Sequence, residues 1–289
     1  MRKIKEFIIE KLILLCGVAS IIFVVLILLF LLNEGLSLFK DIGPYEFVSG
    51  KKWYPISEPP QLGILPLICG SLLVTLGAAI ISIPIGVACA VYIAEVAPSW
   101  IKDILKAGIE LLAAIPSVVL GFIGMVTLSP LIKSVFNLPT GLTALSGSIM
   151  LAFMAMPTIV SIAEDALYAV PKSYKEGAFA LGATHWQTIW RVILPAASPG
   201  ILAAVMLGIG RVIGETMAVM MITGNAAKIP DGFLQPVRTL TATIAAEMGE
   251  AVVGSEHYFA LFAIGLILFI ISFIINLTAD LFLHRKERR

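Results

Sequence analysis

Apolar positions in this chain fall in long unbroken runs. Uncharged stretches occupy 12–32, 62–94, 111–132, 134–163 and 258–279, and a sixth, 196–227, is interrupted only by Arg211 and Glu215. A helix that crosses a bilayer needs about 20 apolar residues. The pattern predicts an all-α fold, a polytopic membrane protein with six transmembrane helices. The second run, 33 residues, exceeds one span. It is expected to begin as an interfacial segment near Pro66 and to kink at Pro84, which membrane helices tolerate. The first run is longer than a signal-peptide core of about 7–15 residues, and no small-x-small site follows it. It reads as a retained first helix.

Composition agrees. The 289 residues are 59% hydrophobic and 13% charged, with a mean hydropathy of +1.00, against about 25% charged residues in soluble domains. A net charge of +1 removes any bulk electrostatic case for nucleic acid. Cys16, Cys69 and Cys89 lie in apolar runs and read as small buried side chains, with no disulfide framework or metal cluster. With the N-terminus inside, the inner segments (1–11, 95–110, 164–195, 280–289) hold 13 Lys and Arg, and the outer ones (33–61, 133–142, 224–257) hold 6. The positive-inside rule then places both termini in the cytoplasm. The prolines and Trp53 of 33–61 favour an ordered loop at the outer surface over a helix, and 236–253 can form a helix against the outer mouth.

The inner segment 173–195 is polar and helix-like between two greasy spans. Ser173, with Glu176 three residues on, has the spacing of a capping box. Gly182 can end that helix in a left-handed conformation, and Thr184 can cap a second. Trp186, Trp190 and Ile193 would form one apolar face, and Pro195 opens the next span. Two short helices at an angle make a knob suited to a groove on a partner. A partnerless connector lying on the membrane surface fits the periodicity equally well.

Arg211 and Glu215, at i and i+4 within a span, would share one helix face. Charges at that depth usually face a bundle interior or a water-filled path. Arginine suits oxyanions through its planar fork, so Arg211 can meet an anion with Glu215 holding or gating it. An ion pair that only fixes packing is the alternative. Gly208, Gly210 and Gly214 would clear space or permit close helix packing. Arg238 with Thr239, Thr241 and Thr243, followed by Glu247 and Glu250, offers donors on the outer side, as a pathway lip or a solvated face. Pro116 can bend a helix and leave Ser117 near the path. No G-x-x-x-x-G-K-[ST] loop, HExxH or His/Cys-rich pattern occurs. His185, His257 and His284 all lie in polar segments. No catalytic or metal residues are expected.

Glu176, Gly177, Ala178, Gly182, Val192, Leu194 and Pro195 closely resemble the signature loop of ABC importer permeases, with Gly177 in place of Ala and Val192 in place of Ile. Three strings, IPSVVLGF, GRVIGETMAV and PVRTLTATIAAEMGEA, together look like the phosphate ABC importer permeases. The second and third strings, with the tryptophan-containing loop 33–61, are more similar to the C-type subunit than to its A-type partner. The resemblance implies a type I importer permease with an N-terminal helix and outer loop at 1–60 and a permease domain at 61–289. It implies an A-type permease subunit as heterodimer partner, two ATP-binding subunits carrying ATP and Mg, and a phosphate-binding protein outside. The chain itself would hold no cofactor. Its implied home is the plasma (inner) membrane of a prokaryote. The loop would couple to the ATPase, and Arg211 and Glu215 would be important for transport. Charge alone leaves open a permease for sulfate or molybdate, or a secondary anion transporter working without ATP.

Overall fold

The longest helices follow the apolar runs, but their ends are set by prolines, glycines and caps. A computed structural model describes residues 2–40 and 42–287, with backbone only at 2–6, 8 and 279–287. The basic flanks behind the expected orientation fall largely outside the described side chains. Helix α1 spans Arg2–Ser37. A short helix α2 (Pro44–Ser49) precedes β1 (Trp53–Tyr54), which pairs antiparallel with β2 (Gln61–Leu62), Trp53 opposite Leu62. The surface loop expected at 33–61 therefore contains a helical turn and a hairpin. Then come α3 (Leu65–Val91), prolonged by a π turn (Tyr92–Val96), and α4 (Ser99–Ala114). α5 (Ser117–Ile123) runs through a π turn (Gly124–Leu128) into α6 (Ser129–Val135), and α7 follows (Ala144–Tyr168). α8 (Lys172–Ala180) and α9 (His185–Thr188) lead through a third π turn (Ile189–Ile193) into α10 (Leu194–Gly214). The chain finishes with α11 (Met217–Ile222), α12 (Leu240–Glu247) and α13 (Glu256–Glu287).

Among the described residues, six segments are long and apolar enough to cross a membrane: Ile9–Lys40, Leu65–Val96, Ser117–Val135, Ala144–Tyr168, His185–Gly214 and Glu256–Thr278. Their number matches the sequence pattern, and several boundaries move. α3 is one helix from Leu65, not an interfacial piece plus a span, because Pro66 sits in its first turn, where a missing N–H costs no bond. The third run splits at Ile115, which is extended (ψ 127) ahead of Pro116, since a residue before proline is pushed out of the helical region. The fourth span starts at Ala144, where the Thr143 side chain accepts from the Ser146 N–H. The sixth run is two helices, because Glu215 is extended.

α7 is the central post. Gly77 of α3 brings that helix so close that a Cβ there would sit 2.3 Å from Ser148 Oγ, and Gly208 brings α10 against Ile159 in the same way. Three apolar clusters stack along the bundle. Val74, Met150, Ile159, Val212 and Ile222 fill its middle. Leu38, Phe47, Trp53, Leu62, Leu240 and Leu261 fill one end, here termed the mouth end. Ile93, Val160, Leu167, Ile189 and Ile193 fill the other, the knob end. α1 touches α13 through Phe30 on Phe262, with ring centroids 5.3 Å apart, and through Gly35 against the Ala263 backbone. Most of its remaining described apolar surface is open. Cys16 and Cys89 are exposed and Cys69 is half-buried, so the expected burial of the cysteines fails. In lipid an apolar side chain gains little by leaving the surface for the protein interior.

Candidate functional site

The knob is built by local signals. α8 begins at Lys172 behind Pro171, with no side-chain cap, so the capping box expected at Ser173 does not form. Its end is as the sequence suggests. Gly182 has φ +79, its N–H donates to Phe179 O, and the Ala183 N–H donates to Ala178 O, the paired bonds of a glycine-terminated helix. The capping box lies one helix later. Thr184 Oγ1 accepts from the Gln187 N–H, and Gln187 Oε1 accepts from the Thr184 N–H. The π turn that follows divides the expected apolar face. Ile189 and Ile193 are buried, while Trp186 and Trp190 stand edge to face, centroids 5.9 Å apart, and are more than half exposed. Leu181 at the tip is 91% exposed. Among the signature residues, Glu176 and Gly177 are exposed, Ala178 is buried, and Leu194 and Pro195 open α10.

Arg211 and Glu215 do not form the expected helix-face pair. α10 ends at Gly214, and the Glu215 carboxylate turns to the next helix, where Oε1 accepts from the Ala218 N–H at 3.2 Å. Its carbonyl accepts from Thr241 Oγ1 at 2.9 Å. No ion pair joins the two among the described residues. Arg211 is exposed on the flank of α10, with Nη1 3.4 Å from Thr158 Oγ1 of α7. Gly210 and Gly214 leave open space nearby, whereas Gly208 serves close packing. Ser117 opens α5 just past the break at Pro116 and is half-buried. Where Gly121 of α5 meets α11, a Cβ would come 2.8 Å from Ala218 Cα. The α5 that Ser117 opens thus packs on the helix that Glu215 caps.

At the mouth end a cavity of about 1010 Å³ is lined by Trp53, Lys228, Arg238, Glu247, Glu250 and His257, among others. Arg238 is not a free donor. Its Nη1 is paired with Glu247 Oε1, while its Nε is buried without a partner. The same carboxylate accepts from Trp53 Nε1 at 3.1 Å and pairs with His257 Nε2 at 2.9 Å. Thr239, Thr241 and Thr243 are buried, with their hydroxyls spent on the fold, so they offer no donors to a pathway. At these threonines the expected pathway lip or solvated face does not form. They are instead the cap and inner side of α12. Sequence reasoning passed over Trp53 and His257 as ligands of Glu247, Thr158 beside Arg211, and the pair Glu95–Lys175 (Lys175 Nζ to Glu95 Oε1, 2.6 Å). The only local signal for the last was a lone acid ending an apolar run. No group of three or more metal-ligating side chains occurs among the described residues.

Among the described residues, six membrane-length segments, with the knob leading into the fifth, make a multi-pass membrane protein, and its fold is that of the type I ABC importer permeases on which it superposes. The chain superposes on a subunit of a bacterial ABC transporter involved in the import of the acidic polysaccharide alginate. That match has a TM-score of 0.64, covers 99% of each chain, and is 17% identical. Residues 82–288 match the family described as binding-protein-dependent transport system inner membrane component, and the chain belongs to it. It is 41% identical over 94% of its length, and 89% of the relative's, to the probable ABC transporter permease protein YqgH of Bacillus subtilis (strain 168). It is 36% identical over 85% of its length, and 80% of the relative's, to the phosphate transport system permease protein PstC of Mesorhizobium japonicum.

Proposed function

We infer that this chain is a permease subunit of an ATP-driven importer of inorganic phosphate. The observation that carries the reading is its similarity, at 36% identity over most of the chain, to a protein named as a phosphate transport permease. Arg211 fits the substrate. It is a guanidinium within a membrane-length segment, on an open flank, with no acid paired to it among the described residues, and its fork suits a tetrahedral oxyanion. The knob fits the power source, since this chain has no phosphate-cradling loop of its own and its exposed aromatics suit a groove on an ATPase. ATP and Mg then belong to two partner ATPase subunits, and this chain needs no cofactor. A second, A-type permease subunit completes the pathway opposite Arg211, and a phosphate-binding protein delivers the anion at the mouth end. In this arrangement residues 1–60 form an N-terminal helix and outer loop, and 61–289 form the permease unit. Both termini and the knob face the cytoplasm of a prokaryotic cell, across its plasma (inner) membrane. ATP on the partner biases the bundle between two accesses, as any ligand-driven switch requires.

The test is labelled-phosphate uptake into vesicles holding the complete complex, with and without ATP, against sulfate and molybdate. ATP-dependent uptake indifferent to both competitors is expected. Arg211→Gln is expected to lose uptake while ATPase subunits still co-purify. Competition by sulfate or molybdate would move the substrate to oxyanions generally, and uptake without ATP would overturn the importer reading.

A further inference from the structure

Glu95 is the one acid in the π turn that ends α3, and its side chain is 3% exposed. Both of its carboxylate oxygens accept from Lys175 Nζ, at 2.6 and 2.8 Å. Lys175 stands on α8, the first helix of the knob. Of α8's own residues only Ala178 is buried, so little else holds that helix to the bundle. The second attachment of the knob is its own π turn, whose Ile189 and Ile193 share an apolar cluster with Ile93, two residues before Glu95. Two π turns thus share one apolar cluster at the root of the knob, and one of them bears the carboxylate. Such turns recur at functional sites, because they set a helix end at an angle a regular turn would not.

The other end of α3 lies at the mouth. Gly70 approaches the Arg238 carbonyl so closely that a Cβ would stand 2.4 Å from it, and Ser71 Oγ accepts from the Leu240 N–H at 2.9 Å. A helix of 27 residues is about 40 Å long. α3, one continuous helix with Pro84 inside it, therefore runs from the knob to the segment carrying Arg238.

We propose that Glu95 and Lys175 are positioning residues that tie the knob to α3, so that movement of the knob reaches the mouth end through that helix. The proposal rests on the reading that the knob docks on an ATPase. The pair suits the task, because a buried carboxylate released from its only cation is strongly disfavoured. The knob cannot shift without carrying the end of α3 along.

The experiment compares phosphate moved per ATP hydrolysed in vesicles holding the complete complex. The variants are Glu95→Gln, Lys175→Gln and the exchanged pair Glu95→Lys with Lys175→Glu. Co-purified ATPase measures assembly separately. Both single variants are expected to retain ATPase subunits and hydrolysis while uptake per ATP falls on the order of tenfold, the scale of a typical coupling between sites. The exchanged pair is expected to recover most of the ratio. An unchanged ratio in the single variants overturns the proposal. So does failure of both to assemble, which would make the pair a folding requirement only. If no ATPase co-purifies with the native chain, the docking reading itself falls, an outcome distinct from the other two.

Discussion

The mouth end and the knob end handle their exposed chemistry in opposite ways. At the mouth the Glu247 carboxylate gathers Trp53 from the hairpin, Arg238 from the strand-like approach to α12, and His257 from the start of α13. Three separate segments are drawn together by one acid. At the knob Trp186, Trp190, Phe179 and Leu181 stand open, while the polar groups near them shape the turns and Lys175 anchors the base to Glu95. A polar network that closes on itself makes a rigid rim. An apolar tip that closes on nothing within the chain is a surface made for another molecule.

Three changes would break or sharpen that contrast. Glu247→Ala removes the acceptor from three donors at once, two of them cationic or potentially so, and should cost about 3 kcal/mol, as for a buried pair deprived of one partner. The loss should appear as a lower thermal midpoint in detergent and as a loosened hairpin in proteolysis. If the rim tolerates it, the network is not what holds the mouth together. Trp186→Ala should leave folding intact and cost about 2 kcal/mol of ATPase association, the scale of an interface anchor, read as the ATPase concentration needed for half-maximal assembly. A stability loss without an association loss would place Trp186 in the fold rather than at an interface. Gly182→Ala should have the smallest effect, about 1 kcal/mol for a Cβ at φ +79. No atom lies within 4 Å of the added carbon, so the cost is conformational alone and should show in the unfolding midpoint of the isolated chain.

The two ends also differ in how far they could be read from the residues. At the knob, Gly182, Thr184 and Pro195 act through their own backbones or those a few positions away, and all three do in the structure what their chemistry suggests. Ser173 misled, because a capping side chain competes with a proline at the preceding turn. The pair Arg211 and Glu215 misled for a related reason. Spacing of i and i+4 brings side chains together only while the helix lasts, and α10 stops at Gly214. At the mouth the ordered loop and a helix within 236–253 were legible, but the pairings were not, since Trp53 and Glu247 are 194 positions apart.

What the sequence determined by itself is the set of local outcomes: six membrane-length helices, the break at Pro116, the glycine turn of the knob, and membership of a permease family. These follow from hydropathy summed over a span and from dihedral preferences of single residues. What only the tertiary structure decided is which charges meet. Lys175 reaches Glu95 across 80 positions, Glu247 collects donors from three segments, and Arg211 is left without an acid among the described residues. Such pairings depend on the angle and register at which α3, α7 and α10 pack. Those are fixed by close contacts such as Gly77 on Ser148 and Gly208 on Ile159, which act between helices distant in the chain and leave no periodic trace along it.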